Sequence, residues 1–168
     1  MTELTTCEVR LAKTGDAPLI ARMSRDYIEA GLSWRWRTPQ IRSKIANQET
    51  VVLVAQVEVG GVHFTGGFAV MDFYLDSSVD HSVNKALLNL LAVHPSLRRM
   101  GVGGKLLRWL HKSARVAGCE HIELQVRADN VAARRFYNRL GYAEEALLKG
   151  YYDGRKAAYQ MKLRMSAS

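Results

Sequence analysis

The stretch "LLAVHPSLRRMGVGGKLLRWL" (residues 90–110) constrains the fold of this chain more than any other. An apolar run ends at His94-Pro95, glycines follow at 101, 103 and 104, and an amphipathic segment begins at once. "KALLNLLAV", Lys85 to Val93, has the length and apolarity of a strand buried on both faces. After the glycines, Leu106, Leu107, Leu110 and Ala114 recur at helical spacing, which predicts a helix from about Gly103 to Ala117 with Gly118 as its stop. "HIELQVRA", from His121, reads as the next strand. A strand–helix–strand unit of this kind implies parallel pairing through a right-handed crossover.

The flanking segments add antiparallel neighbours. "CEVRLA" alternates like a first strand. "DAPLIARMSRDYIEAG" reads as a helix capped by Asp16, with Pro18 in its first turn and Gly31 after its end. Its expected buried stripe is Leu19, Ile20, Met23, Tyr27 and Ile28. "PQIRSKIANQ" is a second, short helix. "TVVLVAQVEV" is a β-branched strand, Gly60-Gly61 a hairpin turn, and "GFAVMDFYL" the return strand. "SSVDHSVN" is a polar loop. "DNVAARRFYNRLG" is a helix opened by Asp129 or Asn130 and ended by Gly141. "ALLKGYYDGRKAAYQMKLRM" reads as two short strands around a turn at Asp153-Gly154. The order β-α-α-β-β-β-α-β-α-β-β predicts an α/β (α+β mixed) fold, a mixed and mostly antiparallel sheet with helices on both faces. No linker is visible, so residues 1–168 read as one domain.

Composition narrows the function classes. No apolar run is long enough to cross a bilayer, and the start has no basic-then-apolar signal pattern. Cys7 and Cys119 belong to no CxxC or Cys/His cluster and read as free thiols in a reducing cytoplasm. His63, His81, His94, His111 and His121 have no metal-ligand spacing, so no metal is expected. In "AVHPSLRR", His94 reads as a hydrogen-bonding structural residue. The net charge of +8 suits a polyanionic partner, whether nucleic acid, an acidic protein or a phosphorylated cofactor, or simply a solvated basic surface. A basic nucleic-acid-binding module is therefore a reading of a different class, but no nucleic-acid motif supports it.

The glycine loop has its own chemistry. The first turn of a helix carries unpaired backbone N–H groups and a partial positive charge. Glycines admit a phosphate to those groups without a Cβ in the way. Arg98, Arg99 and Lys105 add full charges. Two common phosphate loops fail on spacing. A dinucleotide fingerprint from Gly101 needs a third glycine where Leu106 stands. A P-loop ending in Gly104-Lys105 needs Ser or Thr at Leu106 and a glycine at Arg99. Taken alone, the glycines could equally make a tight strand-to-helix turn.

Two longer patterns add context. Arg98-Arg99-Met100-Gly101-Val102-Gly103 fits Arg/Gln-x-x-Gly-x-Gly/Ala. Downstream, "NVAARRFYNRLGY" fits Asn-x-x-Ala-x-x-x-Tyr-x-x-x-Gly-Phe/Tyr. With both motifs correctly spaced, the chain resembles the GNAT-superfamily acyl-CoA N-acyltransferases, closely from about Lys85 to Arg164 and elsewhere mainly in element order. Within that superfamily, "IELQVRADNVAARRFY" is similar to the enzymes that acetylate the N-terminal alanine of a ribosomal protein. The resemblance implies strands splayed around acetyl-CoA as acyl donor. It places the pyrophosphate on Arg98, Arg99, Met100, Gly101, Val102, Gly103, Gly104 and Lys105, and the pantetheine arm along the backbone of Leu91, Ala92 and Val93. Asn130, Phe136 and Tyr137 would line the other side.

An amine attacking a thioester must be neutral, which favours an α-amine (pKa about 7.7–8.0) over a lysine (about 10.4). The tetrahedral intermediate needs an oxyanion donor, expected from a backbone N–H near Val93. The leaving thiolate needs a proton, and Tyr137 occupies the family's tyrosine position, though it is also suited to core packing. The ribosomal-protein enzymes carry a glutamate where this chain has Gln125, which cannot act as a base. Glu123 shares its strand face and could work through water or be a solvated charge. In the family, the first two helices and the last hairpin flank the acceptor. Trp34 and Trp36 could then form an aromatic wall with Glu29 meeting an amine, or the loop could simply pack a tryptophan inward. Tyr151 and Tyr152 resemble a tyrosine pair that contacts the peptide backbone in N-terminal acetyltransferases. Asp72, Asp76 and Asp80 could attract a basic acceptor or be solvated. The expected acceptor is a peptide N-terminus, the alternative a small amine such as a polyamine, amino acid or aminoglycoside. The protein is expected to be a monomer or homodimer.

Overall fold

The elements are β1 (Leu4–Leu11), α1 (Ala17–Met23), α2 (Thr38–Ala46), β2 (Thr50–Val59), β3 (Val62–Tyr74), β4 (Lys85–Val93), α3 (Val102–Val116), β5 (His121–Arg127), α4 (Val131–Arg139), β6 (Ala143–Tyr152) and β7 (Lys156–Arg164). The computed structural model describes residues 3–75 and 83–166. Its strands form one seven-stranded mixed sheet in the order β1-β2-β3-β4-β5-β7-β6. The chain divides into two compact units, interleaved in sequence: Met1–Asp72 with Leu90–Ser113, and Phe73–Asn89 with Ala114–Ser168. No helix among the described residues is long and apolar enough to cross a membrane.

In the first unit, α1 and α2 cover one sheet face. Ile20, Met23 and Ile41 pack with Val52, Val54, Phe68, Val70, Leu90 and Ala92. The opposite face takes α3, whose Val102 and Leu106 lie against Gly67 of β3. The intervening residues of β2, namely Leu53, Ala55 and Val57, are also buried. It is therefore β2 and β3, not β4, that have both faces covered. In β4 the buried residues Ala86, Leu88, Leu90 and Ala92 alternate with half-buried Leu87, Asn89, Leu91 and Val93. The expectation of a doubly buried β4 fails because apolar side chains on a half-open face read in sequence like core residues.

Three local expectations also change. Asp16 does not cap α1. It accepts from the Lys13 N–H (2.7 Å) and pairs with Arg10 (2.8 and 3.1 Å), closing the turn before the helix. Leu19 is 36% exposed and lies outside the stripe, whereas Ile20 and Met23 are fully or nearly fully buried. The long first helix stops being α-helical after Met23. Ser24–Ile28 forms a wider π-type turn, in which the Glu29 N–H donates to the Ser24 carbonyl at 2.8 Å. Finally, β3 begins at Val62, directly after the Gly60-Gly61 turn, and not at Gly67. Ala55 pairs with Gly67 and Gln56 with Thr65, so Gly66 is the extra residue of a β-bulge.

In the second unit, β4 and β5 pair in parallel from Lys85–His121 to Leu88–Leu124, and both strands continue past that ladder. β5 pairs antiparallel with β7, and β7 with β6. α4 packs on the face carrying Tyr159 and Leu163: the Arg134 guanidinium sits 4.2 Å from the Tyr159 ring centre, and a Cβ at Gly141 would lie 3.2 Å from Leu163. The β6–β7 hairpin turns at Asp153 (φ 53°) and Gly154 (φ 68°), two left-handed residues as a type I′ turn requires.

Candidate active site

The glycine loop is seated on β3. The His94 N–H donates to the Gly66 carbonyl at 2.7 Å. A side chain at Gly66 would meet Leu97 at 2.5 Å, and one at Gly67 would meet the Ala92 carbonyl at 2.9 Å. Leu97 is fully buried, so the short turn Pro95–Leu97 is pinned by its apolar end. The His94 ring accepts from the Ser96 N–H at 3.1 Å and stands edge-on to Tyr27 and Phe64. Sequence reasoning missed Gly66, Gly67 and Leu97 as parts of this seat. The available signal was a glycine pair inside a strand, which marks close backbone approach.

Beyond the turn, Arg99 (φ 67°) and Gly101 (φ 87°) are left-handed, and a Cβ at Gly101 would point into open space. The Lys105 N–H donates to the Gly101 carbonyl at 3.1 Å. The amides of Val102, Gly103 and Gly104 thus precede that bond, in the turn with no carbonyls behind it. Arg98, Arg99 and Met100 are exposed around them, while the Val102 side chain is core. Open backbone, free amides and nearby cations fit a phosphate. The Lys105 ammonium is directed elsewhere, to the Cys7 carbonyl of β1. On β4, Leu91 and Val93 are half-buried and Ala92 is buried.

The loop before α2 is organised by Glu29. Its buried carboxylate accepts from the Ser24 hydroxyl (2.8 Å) and from the N–H groups of Arg35 (2.7 Å) and Trp36 (3.3 Å). Both oxygens are engaged within the loop and hold its shape. Trp34 donates to the Trp36 carbonyl at 3.1 Å and lies between the Arg25 and Arg37 guanidinium groups, 5.3 and 4.5 Å from its ring centre. Both tryptophans pack against the core of the first unit, the inward-packing alternative. Asp72 is also buried, bonded to Lys44 (2.7 Å) and Thr50 (2.6 Å) instead of solvated in a loop. Asp76 and Asp80 lie outside the described residues.

In the second unit, Glu123 and Gln125 share one face of β5, as expected. Glu123 lies within the paired part of the ladder, opposite Leu87 and Lys162. Its carboxylate is surrounded by His121 (2.9 Å), Lys85 (3.7 Å) and Lys162 (3.9 Å). Gln125 lies one step past the last β4–β5 pair and opposite Gln160.

Asn130 caps α4, accepting from the Ala133 N–H at 3.1 Å. Tyr137 is buried, tilted against Phe136 (5.3 Å) and edge-on to Tyr142 (5.5 Å). The contact with Tyr142 follows from the end of α4, where the Tyr142 N–H donates to the Tyr137 carbonyl at 3.1 Å. Burial, reinforced by Tyr152, raises the Tyr137 hydroxyl well above the usual tyrosine range. It is a permanently protonated donor near neutrality and cannot serve as a base. Tyr151 is exposed at the end of β6 and stands edge-on to Tyr152 (4.9 Å). Tyr152 is half-buried, and desolvation pushes its hydroxyl up to about 12.

The sequence pattern of the Acetyltransferase (GNAT) family matches residues 22–142. An uncharacterized N-acetyltransferase of Methanocaldococcus jannaschii is 43% identical over 79 residues, 46% of this chain and 51% of that protein. The [ribosomal protein bS18]-alanine N-acetyltransferase of Escherichia coli (strain K12) is 37% identical over 87 residues, 50% of this chain and 59% of that protein. The chain thus spans between half and three-fifths of these two curated relatives. Over the whole length, the crystal structure of the ribosomal-protein-S18-alanine N-acetyltransferase from Escherichia coli has a TM-score of 0.76 and 26% identity, covering 97% of this chain and 96% of that one. With its family pattern matched across most of its length, its fold shared and its glycine loop suited to phosphate, the chain belongs to the GNAT family of acetyltransferases.

Proposed function

We propose that this protein is an N-acetyltransferase that moves an acetyl group from acetyl-CoA to the α-amine of a protein or peptide N-terminus, by direct attack in a ternary complex. The observation that carries the donor half is the loop from Arg98 to Gly104, with Gly101 left-handed, open space where its Cβ would stand, and the first-turn amides of α3 ahead of the Lys105–Gly101 bond. Bound there, the donor supplies an acetyl thioester. The half-buried apolar face of Leu91 and Val93 suits its uncharged arm. The relatives named above, one of which acts on a ribosomal-protein N-terminal alanine, point the same way.

The amine nitrogen bonds to the thioester carbon, the C–S bond breaks, the nitrogen loses a proton to water, and the sulfur gains one. The N–H of His94 is committed to Gly66, so the oxyanion donor is assigned to the end of β4 before it. Tyr137, whose hydroxyl burial keeps protonated, is assigned the hydrogen bond to the departing sulfur, and the proton it passes to the sulfur is regained from water. Gln125 takes the place of a base, and Glu123 is ringed by basic groups. Deprotonation is therefore assigned to the acceptor's own equilibrium with water, which an α-amine satisfies roughly three-hundredfold better than a lysine at neutral pH.

The test is an acceptor screen with unblocked peptides, lysine peptides blocked at the α-amine, polyamines and aminoglycosides, run beside a thermal-shift titration with acetyl-CoA. Stabilisation by acetyl-CoA with turnover confined to free N-termini is the expected result. An unchanged melting temperature at saturating acetyl-CoA overturns the donor reading, and faster turnover of lysine or polyamine overturns the acceptor reading.

A further inference from the structure

Resting on that reading of the glycine loop, we infer that Arg108 is a specificity residue of the donor site, taking the 3′-phosphate that distinguishes coenzyme A from its dephosphorylated form. Arg108 lies one helical turn after Gly104, on the exposed side of α3. Helical side chains lean toward the N-terminus of their helix. That of Arg108 does so far enough that a Cβ on Gly104 would lie 3.6 Å from its Nη1. The guanidinium is thus folded back to van der Waals distance of the first turn of α3. Among the described residues no carboxylate pairs with it, and α3 contains no Asp or Glu.

The division of labour follows from the chemistry of the ligand. The pyrophosphate matches the amides of Val102, Gly103 and Gly104, aided by Arg98 and Arg99. The remaining phosphate is a dianion on the ribose, beyond the reach of loop amides, and calls for a side chain arriving from outside the loop. A guanidinium offers two parallel N–H groups for such an oxyanion. Lys105, the other cation of this helical turn, is bound to the Cys7 carbonyl.

The experiment compares KM for acetyl-CoA and for acetyl-3′-dephospho-CoA in the wild type, Arg108→Gln, Arg108→Lys and Arg115→Gln. Arg115 is an exposed cation on the same helix, two turns away. Arg108→Gln is expected to raise KM for acetyl-CoA about tenfold, the worth of a charge-assisted hydrogen bond, and to leave KM for the dephospho donor unchanged. Arg108→Lys should recover part of the loss, and Arg115→Gln should match the wild type. Equal losses on both donors, or no loss on either, overturn the assignment of Arg108 while leaving the loop reading intact. A wild type that binds neither donor overturns both.

Discussion

The two units carry their candidate residues in opposite ways. In the first, the proposed donor site is made of backbone: a bulged strand at Gly66, a carbonyl tight against Gly67, a left-handed Gly101 and the first turn of α3. In the second, the chemical face is made of side chains: Tyr137 in an aromatic cluster, Gln125 beyond the end of a ladder, and Glu123 among three basic groups. Around β3 the first region should be sensitive to an added Cβ at Gly66 or Gly67. The second should instead be sensitive to changed functional groups.

The largest effect expected is on turnover in the second unit. Tyr137→Phe removes one hydroxyl from a buried ring and should lower kcat about a hundredfold, the low end for loss of a general acid, with little change in KM for acetyl-CoA. Turnover within twofold of wild type would remove Tyr137 from the mechanism. Next comes Gly67→Ala, whose methyl would stand 2.9 Å from the Ala92 carbonyl, a backbone atom with no rotamer to yield. It should cost about 2–3 kcal/mol and lower Tm by roughly 5–10 °C. An unchanged Tm would show that β3 and β4 can separate freely at this point. Gly101→Ala meets no steric neighbour and is charged only for its φ of 87°, about 1–2 kcal/mol, read as weaker acetyl-CoA binding or lower Tm. A smaller loss there than at Gly67 would uphold the distinction between crowding and backbone strain.

Two pH measurements sharpen the second region. Gln125→Glu introduces a carboxylate one step past the last β4–β5 pair. The rise of kcat/KM with pH should move to lower pH, whereas in the wild type it should follow the acceptor amine, near 7.7–8.0 for an α-amine. A wild-type profile independent of the acceptor's pKa would mean that another group takes the proton. The smallest effect is on stability. Tyr137, Tyr142 and Tyr152 all have hydroxyls raised by burial. Their folded values exceed the unfolded value of about 10, so the unfolded chain releases these protons first. Their contribution is complete below about pH 10 and declines as pH rises beyond it. Denaturation midpoints should fall above pH 10, and less steeply in Tyr142→Phe; a flat midpoint to pH 11 would contradict the burial of these rings.

The succession of elements was legible because it depends on local periodicity and punctuation. β2 and β4 begin and end where their apolar runs do, and α3 carries its buried Leu106, Leu107, Leu110 and Ala114 at the spacing read from the chain. The glycine loop was legible as well, since a left-handed residue before a helix advertises itself as glycine. Less visible were the partners of charged groups. Asp16 has the chemistry of a helix cap and instead binds Arg10, while Glu29 has the chemistry of an amine ligand and is satisfied by Ser24 and two loop amides.

The sequence by itself determined the order of strands and helices, the phosphate-suited loop, the tyrosine helix and the absence of a carboxylate at position 125, all properties of contiguous residues. Only the tertiary structure decided that β2 and β3 are the strands covered on both faces, that Gly66 and Gly67 seat the loop, that Glu123 is held by His121, Lys85 and Lys162, and that Arg108 folds back over Gly104. Each of these depends on which side chains the folded backbone brings within a few ångströms. Periodicity reports that a residue is apolar or charged, and it does not report what stands opposite.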